Sequence, residues 1–345
     1  MKQKHIIRLV LMAFLIAFLL YVLFHYLDKT YTIDHNIKSN MTNEINQYLY
    51  YKDGNLRIAH KYNKNYDMWI DFKPCGINSI YALDSIYLIP NENDKTSSNL
   101  TKEEIEPFLQ SPSDWIGPYI VKSRNHEDNI TPFFTGGWHG ITQNEREKPT
   151  ARTATVTIKA DKKEIIENKC IPCDKVQLLV TNYIQGYNTT VNKLEIIKEN
   201  VYYTIFNNKI NIDVEIEALD DITILRYYGL QTVNTKWDGQ VTYINTQNDA
   251  QTFNTYTNNN SQPKKENPDV HMIRLISQDQ KHQLNAWIDG KIGLGNFEYL
   301  SPDLPCAFSL DYGKSYFNLI HGIEKNLDKG NKVNWKGSYR FLSLE

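Results

Sequence analysis

The stretch Val201-Tyr-Tyr-Thr-Ile-Phe206, then Asn207-Asn208, then Lys209-Ile-Asn-Ile-Asp-Val-Glu-Ile-Glu-Ala218 decides the fold class. Ile210, Ile212, Val214, Ile216 and Ala218 alternate with Asn211, Asp213, Glu215 and Glu217, the period-2 pattern of a half-buried strand. Asn tolerates positive φ, so Asn207-Asn208 reads as a two-residue hairpin turn. Outward from this hairpin, Val176–Ile184 is more continuously apolar and suits a central strand. Ala154, Val156, Ile158 and Ala160 alternate with Thr and Lys as a further half-buried strand. Ile222–Tyr228, Val241–Ile244, His271–Ile276, Leu284–Ile288, Ala307–Leu310, Tyr316–Ile320 and Gly337–Leu342 continue the series. Long amphipathic helices are scarce; Thr101–Glu104 resembles a capping box that Pro107 would curtail. Many short strands with Asn, Asp and Gly turns imply a mainly β protein, a large antiparallel β-sandwich.

The N-terminus has a different character. Leu9–Phe24 is an uninterrupted apolar run, and a helix over residues 6–27 would cover the roughly 30 Å hydrocarbon layer. The bulky Phe24-His25-Tyr26-Leu27 end does not suit a signal-peptide cleavage site, so the segment reads as an uncleaved signal anchor. Lys2, Lys4 and Arg8 precede it, which keeps residues 1–5 cytoplasmic and exports the remainder. The expected protein is therefore single-pass in the cell membrane. It has a polar stalk over 28–50, helical in tendency near Met41–Tyr50, and an extracytoplasmic β-sandwich domain over 51–345. The polar segment 245–268 either separates a C-terminal strand set or is a long insertion.

The chain has 38 Lys+Arg and 40 Asp+Glu. Residues 1–29 hold four of the basic residues and one of the acids, so the exported part carries 34 and 39, a net charge of −5. That balance excludes a nucleic-acid partner, which needs a basic face. Four cysteines in the chain do not make a disulfide scaffold. Cys170-Ile-Pro-Cys173 has redox spacing but lies between polar and strand-like segments, which suits a local disulfide or a solvated pair. Cys75 and Cys306 lack the second close ligand pair that a structural zinc needs. No nucleotide-binding, zincin or serine-hydrolase motif is present. Asn-x-Ser/Thr triplets begin at Asn40, Asn99, Asn129, Asn188 and Asn259.

Phe133-Phe134-Thr135-Gly136-Gly137-Trp138-His139-Gly140 is the densest stretch for chemistry. Trp138 offers a flat face to a sugar ring, His139 a general acid or base near neutral pH, and Arg152 a two-point contact for a carboxylate. The bland alternative makes the glycines a bulge, Trp138 core and His139 a structural histidine. Glu215 and Glu217 stand two apart on one strand face, roughly 6.5–7 Å from each other, a spacing compatible with two-acid sugar chemistry. The competing reading of Asp213, Glu215 and Glu217 is a solvated face with lysines opposite, and calcium among them is a lesser option. Tyr183, Arg226, Tyr228 and Gln231 are groups that read hydroxyl-rich ligands.

From Trp115 to Gln231 the strand-rich body, the FTGGWHG segment and the acidic strand resemble the galactose-mutarotase-like β-sandwich, carbohydrate-active proteins. The resemblance implies a concave sheet that binds a sugar, with His139 as acid/base and Glu215 or Glu217 completing the pair. Calcium aside, no cofactor is expected. Two functions follow as expectations. One is an anchored protein that binds, and as a lyase or epimerase processes, carbohydrate of the envelope or surroundings. The other is a non-enzymatic surface module for protein interaction or envelope structure.

Overall fold

The hairpin forms as its sequence predicts. Glu195–Phe206 and Lys209–Ala218 pair antiparallel from Phe206↔Lys209 onward, and Asn207 turns the chain at φ 48°. Lys209–Ala218 alternates between half-buried and buried along its whole length. The structure, a computed structural model, describes residues 46–101, 105–143, 146–254 and 261–345. The expected anchor over 6–27, most of the stalk and Lys102–Glu104 of the capping box lie outside the described residues. No described helix is long and apolar enough to cross a membrane.

The hairpin is the centre of a ten-stranded antiparallel sheet. Its order is Lys163–Glu164, Ala151–Ala160, Val176–Gln185, Glu195–Phe206, Lys209–Ala218, Lys332–Ser343, His282–Ile288, Val270–Ile276, Gln240–Asn245 and Ala250–Asn254. Smaller sheets pack on one face of it, giving a sandwich-like, mainly β architecture. A six-stranded sheet holds Lys169–Pro172, Gln47–Lys52, Asn55–Lys61, Tyr66–Cys75, Ile80–Pro90 and Leu109–Gln110. Its Phe72 meets Tyr203 edge-on at 5.3 Å. A four-stranded sheet carries Tyr119, stacked on Tyr227 at 4.2 Å, and Tyr119 donates to the inward-facing Glu199. A three-stranded sheet carries Gln231, whose carbonyl accepts from Tyr339 Oη of the large sheet. Leu178, Val201, Ile216 and Phe341 share one apolar core with Ile58, Val121 and Val233 from the smaller sheets. That core lies wholly within residues 46–345, which form one unit.

Several expectations need correction. Gln47–Tyr50, read as the end of a stalk with helical tendency, are strand, held on both sides by Asn55–Lys61 and Lys169–Pro172. Tyr316–Ile320 is not one strand; it is broken at Asn318-Leu319 into Lys314–Phe317 and the start of Ile320–Leu327, which join different sheets. Ala154 and Val156 are exposed although Ile158 and Ala160 are buried; the ladder to Val176–Gln185 slips between Thr181 and Asn182, which leaves Ala154 without a partner. The strands after the polar segment are shared among the ten-, four- and three-stranded sheets and form no separate set. All four cysteines are free thiols. Cys170 is exposed on an edge strand and Cys173 is buried just past its end, so neither opens a helix. Asn188, first of one Asn-x-Thr triplet, is buried and hydrogen-bonded through both side-chain atoms to Ser123.

Candidate functional site

The Gly-rich stretch folds into a tight turn clamped by two buried side chains, Asn78 and Asp114. Gly136 and Gly137 take φ of 77° and 52°, and the His139 amide closes the turn onto the Gly136 carbonyl at 3.1 Å. Positive φ at two successive positions favours glycine at both. Asn78, buried in the turn between two strands of the six-stranded sheet, donates to the carbonyls of Gly137 at 3.0 Å and His139 at 2.5 Å. Its side-chain oxygen accepts from the Thr150 amide at 2.7 Å. On the other side Asp114, fully buried, accepts from the Trp138 amide through Oδ1. Its Oδ2 lies 3.1 Å from His139 Nε2.

This contact sets the histidine's chemistry. A carboxylate at Nε2 requires the proton on that nitrogen, which leaves the lone pair of a neutral ring on Nδ1. Nδ1 has no hydrogen-bond partner among the described residues, and the imidazole is 46% exposed. A buried acid thus faces Nε2 of a half-exposed imidazole, the kind of contact that acid–histidine pairs of hydrolases use, and leaves Nδ1 open to accept a proton.

The ring lines a cavity of about 420 Å³ between the turn, the Tyr228–Gln231 segment and the Tyr312–Tyr316 hairpin. Phe134, Tyr228, Tyr312 and Tyr316 supply aromatic walls, with Phe134 and Tyr316 at 5.6 and 4.9 Å from Tyr228. Polar groups converge there too. Lys314, only 6% exposed, donates to Ser113 Oγ at 2.9 Å and Gln231 Oε1 at 2.6 Å. Burial lowers its pKa to about 8 against the pull of the Asp114 charge. A mostly aromatic wall with a few fixed polar groups is how proteins hold small polar rings.

The structure brings together three of the nine residues singled out from sequence: His139, Tyr228 and Gln231. Trp138 is half-buried against the core and lines a separate void of about 20 Å³ beside Asn182 and Glu199. Arg152 lies outside the cavity, already in a two-point pair with Glu195 at 2.6 and 3.0 Å and over the ring of Tyr183. Arg226 donates to His321 Nε2 at 2.6 Å; burial, with the Arg226 charge, lowers the His321 pKa to about 4. Glu215 and Glu217 face outward with lysines: Lys332 reaches both at 3.0 and 3.5 Å, and Lys198 lies 3.9 Å from Glu217. Asp213 is held by Lys336. Calcium on this face would have to displace those ammonium groups. No group of three or more His, Cys, Asp or Glu side chains is placed to hold a metal among the described residues.

Sequence reasoning missed Asp114, Lys314, Tyr312 and Tyr316. Ser111-Pro-Ser-Asp-Trp115 and Asp311-Tyr-Gly-Lys-Ser-Tyr316 carry no motif, and only the fold carries them to His139. A second concavity of about 320 Å³ on the six-stranded sheet is lined by Arg57, paired with Asp71 of the same wall at 2.8 Å, and by Lys73, paired at 2.8 Å with Asp84 outside it.

No protein-family profile matches the chain, and no curated protein matches its sequence. Solved structures do resemble it. The α-galactosidase AgaA of Geobacillus stearothermophilus, in complex with raffinose, superposes with a TM-score of 0.44 at 9% identity, covering 86% of this chain and 40% of that one. The galactosidase domain of the α-galactosidase–sucrose kinase AgaSK gives 0.45 at 8% identity, covering 85% and 41%. A proposed mutarotase, YeaD of Salmonella typhimurium, gives 0.38 at 9%, covering 88% and 95%. The chain spans about two fifths of the galactosidase structures it matches. With every TM-score below 0.5, function rests on the cavity's own residues.

Proposed function

We propose that the protein binds carbohydrate in the His139 cavity and processes it by proton transfer. The observation that carries this reading is the buried Asp114 carboxylate 3.1 Å from His139 Nε2 in an aromatic-walled cavity. Phe134, Tyr228 and Tyr316 pack against the apolar face of a sugar ring, where aromatic rings gain both area and stacking. Lys314 and Gln231 hydrogen-bond its hydroxyls, or the carboxylate of a uronate. His139 Nδ1 removes or returns a proton on a sugar carbon, the step shared by a β-elimination lyase and an epimerase. Glu215 and Glu217 take no part, since each is engaged by lysine on the outer face.

The substrate is carbohydrate of the cell envelope or surroundings, met by a body that residues 6–27 anchor to the membrane. The apolar run Leu9–Phe24 behind Lys2, Lys4 and Arg8 supports that placement. The test is turnover by a Tyr31–Glu345 chain on a polysaccharide panel. New reducing ends, the ultraviolet absorbance of an unsaturated uronate and proton exchange at sugar carbons would be followed, with His139→Ala as control. Activity that vanishes in the variant supports the reading. Neither turnover nor binding with any glycan would return the protein to a non-enzymatic surface module.

A further inference from the structure

His139 borders two concave spaces, and the second adds the aliphatic side chains Ile130, Ile141 and Val191 to its wall. A groove of about 540 Å³ runs from Phe134 and His139 along Phe133, Ile141 and Ile130 to Val191. Ile130 is 40% exposed and Val191 76% exposed. Large apolar side chains left contiguous in water mark a surface that receives something. These are held in place by buried polar anchors. Asn188 ties the loop that presents Val191 to the Ser123 backbone at 2.9 Å from both side-chain atoms. Its amide also donates to the carbonyl of His126 at 3.3 Å, at the start of the segment that carries Ile130. Thr189 Oγ1 donates to the Leu194 carbonyl at 2.8 Å and closes the loop behind Val191.

Phe134 and His139 belong to both spaces, so one ligand can occupy them at once. Resting on the carbohydrate reading of the cavity, we propose that the ligand is an amphipathic glycoconjugate. Its sugar fills the aromatic cavity, an alkyl or acyl substituent lies along the Ile130–Val191 groove, and the linkage between them sits beside His139. A partner protein on the groove would leave the shared wall unused, whereas a substituted saccharide uses both faces of it.

The test compares matched methyl and n-hexyl glycosides of glucose, galactose and glucuronic acid by calorimetry with the Tyr31–Glu345 chain. The hexyl member should bind at least about tenfold more tightly, the gain from withdrawing roughly two methylene groups from water. Val191→Asp and Ile130→Asp, both at exposed positions and checked by thermal melting, should abolish that gain and leave methyl glycoside binding unchanged. Equal affinity for the two glycosides, or a gain that persists in both variants, would overturn the inference while the carbohydrate reading stands. Binding of no glycoside at all would overturn both.

Discussion

His139 Nε2 lies 3.1 Å from Oδ2 of Asp114, a carboxylate with no exposed surface whose other oxygen holds the Trp138 amide. One buried acid thereby holds the backbone of the turn and faces Nε2 of the imidazole that the turn displays. Asp114→Asn keeps the shape but places an amide donor against Nε2, which moves the ring proton to Nδ1 and removes the base. Turnover should fall at least about a hundredfold, nearly as far as in His139→Ala, with the melting temperature little changed. Asp114→Ala should in addition cost about 1–3 kcal/mol, because the Trp138 amide loses its acceptor.

Lys314 makes stability depend on alkaline pH. Its folded pKa, lowered to about 8, lies below that of the unfolded chain, so between pH 8 and about 10.5 the unfolded state binds more protons. Stability from this group therefore rises with pH across that window, by about 3 kcal/mol at most, and below it the full penalty is present. Urea unfolding from pH 7.5 to 10 should show the rise in the natural protein and a flatter profile in Lys314→Met.

Gly137→Ala should damage the site without touching a reacting group. A Cβ there would lie 2.6 Å from Asp114 Oδ1 on a backbone at φ 52°. The expected loss is roughly 1–3 kcal/mol together with most turnover. Gly330→Ala is the control: φ is 85°, but no atom lies within 4 Å of the added carbon. It should lose only about 1 kcal/mol and keep its activity.

Asn207 carries the central hairpin at φ 48°. Asn207→Ala should cost about 1 kcal/mol in urea unfolding, whereas Asn207→Gly should be near neutral.

Glu215→Gln and Glu217→Gln should each change stability by less than about 1 kcal/mol, since their lysine pairs are open to solvent. Turnover should be unaffected, and a loss of activity in either would return these carboxylates to the mechanism.

Legibility followed burial. Lys209–Ala218 was readable because one face is buried and the other is not, so polarity alternates with the pleat. The strands Tyr66–Cys75 and Ile80–Pro90 escaped detection for the opposite reason. Seven successive residues from Ile80 to Ile86 are buried, and the ladder shifts between Asp71 and Phe72. Neither strand shows a clean period. In the site, the FTGGWHG turn stood out because consecutive glycines beside large side chains demand a special backbone. Asp114, in a loop, and Lys314, at the start of a short strand, left no trace, because an isolated Asp or Lys reads as ordinary surface until a fold buries it.

By itself the sequence determined what depends on neighbours along the chain: a mainly β body, its central hairpin, a tight turn that displays His139, and a composition unsuited to nucleic acid. Only the tertiary structure decided which side chains share a cavity. It gave His139 its acid from Asp114, placed Lys314, Tyr312 and Tyr316 across from it, and committed Arg152, Glu215 and Glu217 to ion pairs elsewhere. Pleat and turn are local properties of the backbone. Convergence on a cavity depends on sheet order and register, which bring together segments far apart in the chain.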